Sequence, residues 1–340
     1  MSELEITALD PHDEAALKAY HAAYYEADTF ERPHAAPWQL HEMRVDLTAS
    51  RPGESSHPWL GTVDGVVVAV GMMTLPLKDN THLAFLRPWV PPAHRRRGYG
   101  SAMLEHLVAE CARAGRKQIL SDTHVPYSFR EDGRGHPDAD FAYARGWSFD
   151  MCDIVRVLPL PLPEGLLDRL EAEAAPHHQN YELRQFRGPV PDDIVEEFGE
   201  LVGSLMVEAP SGEVQLEQEV LDVERIRADE ARLEEAGRVK YTTVALDRTG
   251  RPVAYTELVV PCHDPGMIFQ WGTLVAPEHR GHRLGMATKV ANLRWVLAEE
   301  TDRDRVYTMN AEVNDNMIAI NEALGFKPVE RHVSLMRKLD

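Results

Sequence analysis

The sequence predicts two consecutive domains, each with a mixed α/β fold, and three observations lead to this prediction. The chain has 340 residues, which is about twice the length of one ordinary domain. Two segments, one beginning at Trp89 and the other at Leu274, share a pattern of strand, proline, His-Arg pair and glycine, and they lie about half the chain apart. The same order of predicted strands and helices surrounds both segments. An internal repeat of this kind indicates one fold used twice.

Hydrophobic periodicity and turn residues predict the elements of the first repeat in chain order. Acidic residues open the first helix, Asp64-Gly65 forms the turn of a hairpin, and Gly115 ends the helix that follows the shared segment. The predicted elements are a strand at 4–9, a helix at 13–28, strands at 59–62, 66–73 and 83–90, a helix at 101–114, a strand at 118–123, a helix at 138–144 and a strand at 147–157.

The second repeat follows the same plan, with a hairpin turn ending at Gly250 and a last helix stopped by Gly325. Its predicted elements are a strand at 181–186, a helix at 191–207, strands at 242–246, 253–260 and 267–275, a helix at 284–298, a strand at 305–310, a helix at 314–324 and a strand at 331–339. An additional acidic helix at 221–236 has no counterpart in the first repeat. We interpret it as a surface insertion, with a lid or a dimer-facing helix as the alternatives.

Alternating prolines between the repeats, in Leu158-Pro-Leu-Pro-Leu-Pro163, remove backbone donors and favour an extended connector. A short helix is expected after it, at 164–173. The predicted organisation is therefore a first domain at 1–158, a proline-rich linker with a short helix at 159–180, and a second domain at 181–340.

The composition narrows the function. A formal net charge of −19 opposes binding to nucleic acid and to anionic membranes, and the chain contains no apolar run long enough to cross a bilayer. The three cysteines are far apart and the histidines show no metal-ligand spacing, so we expect neither disulfides nor a bound metal. These features predict a cytoplasmic monomer or homodimer that acts on a small molecule.

Each shared segment predicts a phosphate-binding loop. A strand that passes through a glycine-containing turn into a helix presents unpaired N–H groups and the positive end of the helix dipole to one point. The run Arg95-Arg-Arg97 places positive charge beside that point. The spacing matches neither the P-loop GxxxxGK[ST] nor the dinucleotide-binding GxGxxG, so ATP hydrolysis and nicotinamide binding have no support.

The segment Arg95-Arg-Arg-Gly98-Tyr-Gly100 after Val90-Pro-Pro resembles the [QR]xxGx[GA] loop of the GCN5-related N-acetyltransferase (GNAT) superfamily, and Leu324-Gly-Phe326 resembles its late LGF signature. With both repeats included, the chain resembles a protein of two tandem GNAT folds. The resemblance implies splayed central strands and direct transfer of an acyl group from acetyl-CoA, or another acyl-CoA, to a primary amine. It implies that the cofactor is bound by Trp89, Val90, Arg95, Arg96, Arg97, Gly98, Tyr99, Gly100, Ser101, Leu274, Val275, Arg280, Gly281, His282, Arg283, Leu284, Gly285, Met286 and Asn314.

The two repeats depart from the family pattern in different ways. The first has both loop glycines, but Gly135 stands where a helix Asn commonly contacts CoA. The second keeps that residue as Asn314 but has Arg283 in place of the first loop glycine, a change compatible with phosphate binding if its φ stays negative. The tyrosine that commonly protonates the leaving thiolate is replaced by Ala142 and by Asn321, and the neighbouring Tyr143 is expected to face elsewhere.

The incoming amine must lose a proton, which calls for a general base. Glu257, which interrupts an apolar strand, is the first candidate, with a solvent-facing charge as the alternative; Glu312, just after the strand at 305–310, is the second. In the first repeat Asp122 and His124 follow a strand where family sites lie, although a histidine without a role is favoured there.

The sequence therefore predicts an acyl-CoA-dependent N-acyltransferase, most simply an N-acetyltransferase, that acts on a small-molecule amine. Neither loop contains a cysteine, so direct transfer is expected rather than an acyl-enzyme intermediate. The second repeat is slightly preferred as the catalytic one. The alternatives are catalysis in the first repeat, whose loop is more regular, and a non-catalytic module that binds acyl-CoA or a partner.

Overall fold

A computed structural model describes residues 3–208 and 212–339 of the chain. The chain divides into two compact units. The first extends from the amino terminus to Cys152 and includes the segment from Glu330 onward, whereas the second is Asp153–Val329.

The first part of the chain forms the elements that the repeat predicts, with one additional helix. Its strands and helices are β1 (Glu5–Ala8), α1 (Glu14–Thr29), α2 (Leu40–Thr48), β2 (Glu54–Val63), β3 (Val66–Pro76), β4 (Leu83–Trp89), α3 (Tyr99–Arg113), β5 (Gln118–Pro126), α4 (Pro137–Tyr143) and β6 (Ser148–Pro159).

The rest of the chain repeats this order after a helix that follows the proline-rich connector. The elements are α5 (Leu166–Ala174), β7 (Glu182–Arg187), α6 (Val195–Gly203), α7 (Leu205–Glu208), α8 (Val223–Glu235), β8 (Arg238–Leu246), β9 (Pro252–Pro261), β10 (Met267–Val275), α9 (Leu284–Glu299), β11 (Arg305–Ala311), α10 (Asp315–Leu324) and β12 (Lys327–Lys338). Among these residues, no helix is both long enough and apolar enough to cross a membrane.

The sheet of the first unit has the strand order β1-β2-β3-β4-β5-β12. Only β4 and β5 run parallel, and their pairing covers Leu83–Phe85 against Gln118–Leu120. Beyond Phe85 and Leu120 the two strands are not paired with each other, which leaves a gap between their carboxyl-terminal halves. The first phosphate-type loop leaves β4 at this gap.

The sheet of the second unit has the order β6-β11-β10-β9-β8-β7. Here β10 and β11 are the parallel pair, and their pairing covers Met267–Phe269 against Arg305–Tyr307. The second unit therefore has its own gap between parallel strands, and its loop leaves β10 there.

The last strand of each repeat lies in the sheet of the other unit. β6, which ends the first repeat, pairs along residues 153–159 with β11, and β12, which ends the second repeat, pairs along residues 330–338 with β5. The boundaries of the sequence repeats therefore differ from the boundaries of the compact units. The domain limits predicted from the repeats, 1–158 and 181–340 with a linker at 159–180, stay a prediction.

Each sheet has two faces that carry different helices. In the first unit Leu86 of β4 lies in the same core cluster as Met103 of α3, whereas Trp89 packs against Tyr24 of α1 on the opposite face. We call the side of α3 the loop face, because α3 begins at the phosphate-type loop, and the other side the α1 face. In the second unit α9 covers the corresponding loop face and α6 the opposite one, the α6 face.

The structure corrects the interpretation of the acidic helix in the second repeat. α8 has a counterpart, because α2 occupies the same place between the first long helix and the hairpin of the first unit. The predicted helix at 191–207 begins only at Val195 and is interrupted at Ser204. A Cβ at Gly199 would lie 2.3 Å from the carbonyl oxygen of Leu221, so the segment that leads into α8 crosses α6 at closest approach.

Candidate functional site

The two loops share one backbone conformation although their sequences differ. Each begins with a short 3-10 turn, at Pro92–His94 and Pro277–His279. In the first loop φ is positive at Arg96 (62°) and Gly98 (90°). In the second it is positive at the matching positions, Gly281 (84°) and Arg283 (51°). A side chain and a glycine have exchanged places while the path of the chain has stayed the same.

From the sequence, phosphate binding by the second loop is expected only if φ at Arg283 is negative, and the structure does not meet this condition. The φ of Arg283 is positive, not negative, and this residue starts α9 in the left-handed conformation that Gly98 adopts at the start of α3. A residue other than glycine in this region costs about 1 kcal/mol or more. The retained backbone leaves the first amides of both helices without intrahelical partners, which suits an anion.

The first arginine of each loop braces the loop rather than extending into it. Arg95 Nε donates to the carbonyl oxygen of Val90 at 3.1 Å, and Arg280 Nε donates to that of Val275 at 3.3 Å. The Arg95 guanidinium also lies over the Phe30 ring. Cations for a phosphate must come from other residues of each loop.

The two loops differ in how their charges are compensated. In the first loop Arg96 and Arg97 are exposed, and neither forms an ion pair with any residue that the structure describes. In the second loop Arg280 pairs with Glu208 at 2.8 Å and Arg283 lies 3.9 Å from Glu173. The first loop therefore presents more uncompensated positive charge to an anion.

A cluster of charged and imidazole side chains borders the gap of the first unit on the α1 face. Arg87 of β4 donates from Nε to Asp122 Oδ1 of β5 at 2.5 Å, so this ion pair spans the two separated strands. His332 of β12 lies with Nε2 3.2 Å from Asp122 Oδ2, and its ring is 4.9 Å from that of His124. Arginine and imidazole thus hold both oxygens of one largely buried carboxylate.

These contacts set the protonation states in the cluster. Burial would raise the pKa of Asp122, but Arg87 and His332 outweigh it and hold the pKa far below its usual range. Burial, with His332 and Arg32 close by, lowers the pKa of His124 well below its usual range. At pH 7 Asp122 is therefore a carboxylate and His124 a neutral imidazole.

The end of α1 closes over the same gap. Arg32 lies between Asp28, at 3.1 Å, and Glu330 of β12, at 2.9 Å. Burial raises the pKa of Asp28, against the lowering effect of Arg32. Trp89 packs edge-on against the Tyr24 ring beside these groups, with ring centroids 5.1 Å apart.

Glu257 occupies a buried site of the second unit. It lies on β9, an inner strand, on the α6 face of the sheet, and it forms an ion pair with Lys240 at 3.0 Å. Burial alone would lower the pKa of Lys240, but Glu257 reverses the effect and raises it. Because the Glu257 side chain is only 9 % exposed, the alternative of a solvent-facing charge on an edge strand is wrong. As a base, Glu257 would have to act from within this ion pair.

A β-bulge lies opposite Glu257. The register between β9 and β10 shifts between Gln270 and Thr273, and Gln270 Nε2 donates to the Glu257 carbonyl oxygen at 2.8 Å. A Cβ at Gly272 would lie 2.6 Å from Tyr255 Oη, so glycine is required there. Trp271 lies in the bulge and is half-buried, and Gln270 beside it is buried.

The other predicted site residues have local structural contacts. Asn314 caps α10, since its Oδ1 accepts from the Met317 N–H at 3.1 Å. Asn321 is buried, donates to Asn310 Oδ1, and its own Oδ1 has no partner among the described atoms. Tyr143 donates from Oη to the Asp132 carbonyl oxygen, and its orientation relative to a cofactor stays a prediction. Glu312 lies in the turn after β11.

The structure thus brings some of the predicted residues together and separates others. Each loop is contiguous with the gap of its own unit, whereas Glu257 lies on β9, one strand away from the gap between β10 and β11. Sequence reasoning missed Arg87 and His332. Arg87 could have been found from the sequence, because it is a charged residue within an apolar strand. His332 could not, because it comes from the far end of the chain and no local pattern connects it with the first gap. No group of His, Cys, Asp or Glu side chains among the described residues is arranged to hold a metal ion.

Comparisons with known proteins agree with this architecture. Residues 16–128 match the model of the acetyltransferase (GNAT) family. A tandem GNAT protein from the clavulanic acid biosynthesis pathway, solved without acetyl-CoA, is 29% identical, with a TM-score of 0.80 over 99% of this chain and 98% of that one. No curated protein sequence matches the chain.

Two more distant structures show the same fold. A GCN5-related N-acetyltransferase from Sphaerobacter thermophilus is 15% identical, with a TM-score of 0.64 over 98% of this chain and 95% of that one. One from Kribbella flavida is 12% identical, with a TM-score of 0.55 over 100% of this chain and 72% of that one. The chain is therefore a protein of two tandem GNAT folds, and its first unit carries a domain of the GNAT acetyltransferase family.

Proposed function

We propose that the protein transfers an acyl group, most simply acetyl, from acyl-CoA to a primary amine of a small molecule, and that the first unit performs the reaction. One observation carries the choice of unit. The loop with the unpaired cations Arg96 and Arg97 and the gap with the Asp122, His124 and His332 cluster belong to the same unit. The family match at residues 16–128 covers the same region.

The first loop fits a pyrophosphate. The left-handed backbone at Arg96 and Gly98 directs successive N–H groups of the α3 amino terminus to one side, and the two exposed guanidinium groups add charge. Residues 95–101 would hold the diphosphate, with Trp89 and Val90 on the strand that leads to it. An acyl-CoA supplies a thioester, whose carbonyl carbon is the electrophile of the reaction.

The acceptor would enter from the α1 face, because the loop occupies the opposite face and the gap between β4 and β5 joins the two. His124, whose ring lies 4.9 Å from that of His332 beside the gap, is the proposed acceptor of the amine proton. The amine nitrogen then bonds to the thioester carbonyl carbon, the carbon–sulfur bond breaks, and the thiolate leaves with the electron pair and takes up the proton that the nitrogen loses as the amide forms. Asp122 would act as a positioning residue, through His332.

The second unit is the less favoured site, contrary to the preference drawn from the sequence. Its loop cations face carboxylates, and Glu257 is held by Lys240. We propose that its loop residues Arg280–Met286 and Asn314 support weaker CoA binding at most, and that Glu257 and Glu312 are not the bases of the main reaction.

A purely CoA-binding protein is the second candidate, because Ala142 and Asn321 replace the usual acid in both repeats.

A matched pair of substitutions tests the proposal. Gly100 and Gly285 stand at the same loop position, and a Cβ would lie 3.3 Å from Val90 Cγ2 in the first and 3.2 Å from Ile320 Cδ1 in the second. Gly100→Glu is expected to weaken acetyl-CoA binding, measured by calorimetry, at least 100-fold, and to stop thiol release with a panel of amines. Gly285→Glu is expected to change both by less than threefold.

The outcomes separate the alternatives. Loss of turnover in Gly285→Glu alone would transfer the reaction to the second unit. Binding of acetyl-CoA without consumption of any amine would favour the CoA-binding protein. A third comparison tests the base: His124→Gln is expected to lower kcat about 100-fold with little change in KM for acetyl-CoA, whereas Glu257→Gln is expected to leave kcat unchanged per folded molecule.

A further inference from the structure

We propose that Arg87 binds a carboxylate of the acceptor, so that the substrate of the first unit is an amino acid or a related amino carboxylate rather than a simple amine. This inference rests on the proposed function and names the substrate class of the same site. It stands on the position of Arg87, on the atoms its guanidinium leaves unused, and on the contrast with Arg32.

Arg87 is a half-used guanidinium at the mouth of the gap. Its Nε donates to Asp122, which fixes the plane of the group, and its side chain remains 52 % exposed. Its two terminal nitrogens donate to no acceptor among the residues that the structure describes. Those nitrogens form the fork that matches a carboxylate with two parallel hydrogen bonds.

Arg32 shows what a saturated arginine looks like in the same cluster. It contacts two carboxylates, Asp28 and Glu330, and donates to the Asp28 carbonyl oxygen at 2.9 Å; its side chain is 16 % exposed. Arg87 interacts with Asp28 at longer range but forms an ion pair with Asp122 alone among the described residues, so it has the capacity for a second direct contact. An acceptor carboxylate would give Arg87 the same coordination that Arg32 already has.

The surroundings of Arg87 fit an acceptor of this class. It lies on the α1 face, which is the face away from the loop, and its neighbour on that face is Phe85, a 40 % exposed aromatic side chain. A carboxylate bound at Arg87 would hold the attached amine beside the Asp122 and His332 pair that reaches His124. Phe85 offers an apolar surface to the substituent of the same molecule.

The test measures binding of reaction products, so it needs no turnover. Three product pairs that differ by one carboxylate are titrated into the CoA-saturated protein: N-acetylalanine with N-ethylacetamide, N-acetylphenylalanine with N-phenethylacetamide, and Nα-acetyllysine with N-acetylcadaverine. Wild-type protein is expected to bind at least one carboxylate member about 10- to 100-fold more tightly than its partner. Arg87→Gln is expected to remove this difference without weakening the neutral member.

Two further variants keep the test decisive. Arg87→Lys retains the charge but not the fork, so an intermediate loss is expected for the carboxylate member. Arg113→Gln removes a 63 % exposed arginine of the same unit on α3, and no change is expected. A wild-type protein that binds none of the carboxylates, or that binds both members of each pair equally, would overturn the inference. An equal loss for both members in Arg87→Gln would overturn it as well.

The failure of the proposed function gives a different result. In that case acetyl-CoA is not consumed with any amine of the panel, while the Arg87-dependent preference for carboxylates is still seen in the titrations. If the reaction proceeds but prefers decarboxylated amines, the function stands and the substrate class is wrong.

Discussion

Replacing Lys289 with methionine is expected to stabilise the second unit at neutral pH. Lys289 lies on α9 and is 2 % exposed, and its Nζ is 6.0 Å from the centre of the Phe326 ring. It forms no ion pair with any described carboxylate. Burial lowers its pKa from 10.5 to about 7. Leu104 occupies the same place in the first repeat and is 3 % exposed, so an apolar side chain suits this position.

The size and the sign of the stability change caused by Lys289→Met follow from the linkage between proton binding and folding. The unfolded lysine keeps its proton up to pH 10.5, whereas the folded one releases it above about pH 7. Between these values the unfolded state binds more protons, so the stability of the wild-type protein rises with pH. At about 1.36 kcal/mol per pH unit this interval corresponds to about 5 kcal/mol. Methionine does not titrate, so the advantage of Lys289→Met is greatest at pH 7 and below and declines towards pH 10.5.

Calorimetric and urea unfolding of the wild-type and Lys289→Met proteins from pH 6 to 10 measures the difference between their free energies of unfolding. All other titrating groups are common to the two proteins, so their contributions cancel in this difference. Lys327→Met, at an exposed lysine near the same ring, is the control and is expected to change stability by less than about 0.5 kcal/mol. The reasoning would be refuted if Lys289→Met destabilised the unit at pH 7, or if its advantage did not fall as the pH rose.

Two further predictions concern the backbone of the sites. Arg283→Gly should raise, and Gly98→Ala should lower, the free energy of unfolding by about 1 kcal/mol, because both positions have positive φ; unfolding midpoints measure both, and equal signs would contradict the argument. Gly272→Ala should destabilise the second unit by about 2 kcal/mol or more, because a Cβ there meets Tyr255 Oη. Adding Tyr255→Phe should recover part of that loss in the same assay, and a purely additive result would count against the contact.

Much of the fold could be predicted from the sequence because it depends on local patterns. Apolar periodicity and glycine stops placed the long elements to within a few residues, and α2 was missed because it is short and weakly amphipathic. Lys240 lay just before the strand predicted at 242–246, so the partner of Glu257 was not evident. The ion pair could be found only from the register between β8 and β9.

The candidate site could be predicted only in part, because it is assembled from distant segments. The loop at 95–101 is contiguous in sequence and was found by its spacing. The cluster on the α1 face is different, since His332 and Glu330 reach Asp122 and Arg32 through the pairing of β12 with β5. A repeat-based division assigned the segment with His332 to the second domain, and no spacing rule connects it with the first gap.

The two loops show which property of a phosphate site the chain has retained and which it has changed. The positive φ values at Arg96 and Gly98 recur at Gly281 and Arg283 even though glycine and arginine have exchanged places, so the conformation does not depend on either glycine alone. Charge compensation is not retained, because Glu208 pairs with Arg280 and Glu173 lies near Arg283 in the second loop, whereas no described carboxylate pairs with Arg96 or Arg97 in the first. Part of the net charge of −19 therefore lies against the second loop. Since carboxylates near a phosphate oppose its binding, an anionic cofactor is expected to prefer the first unit.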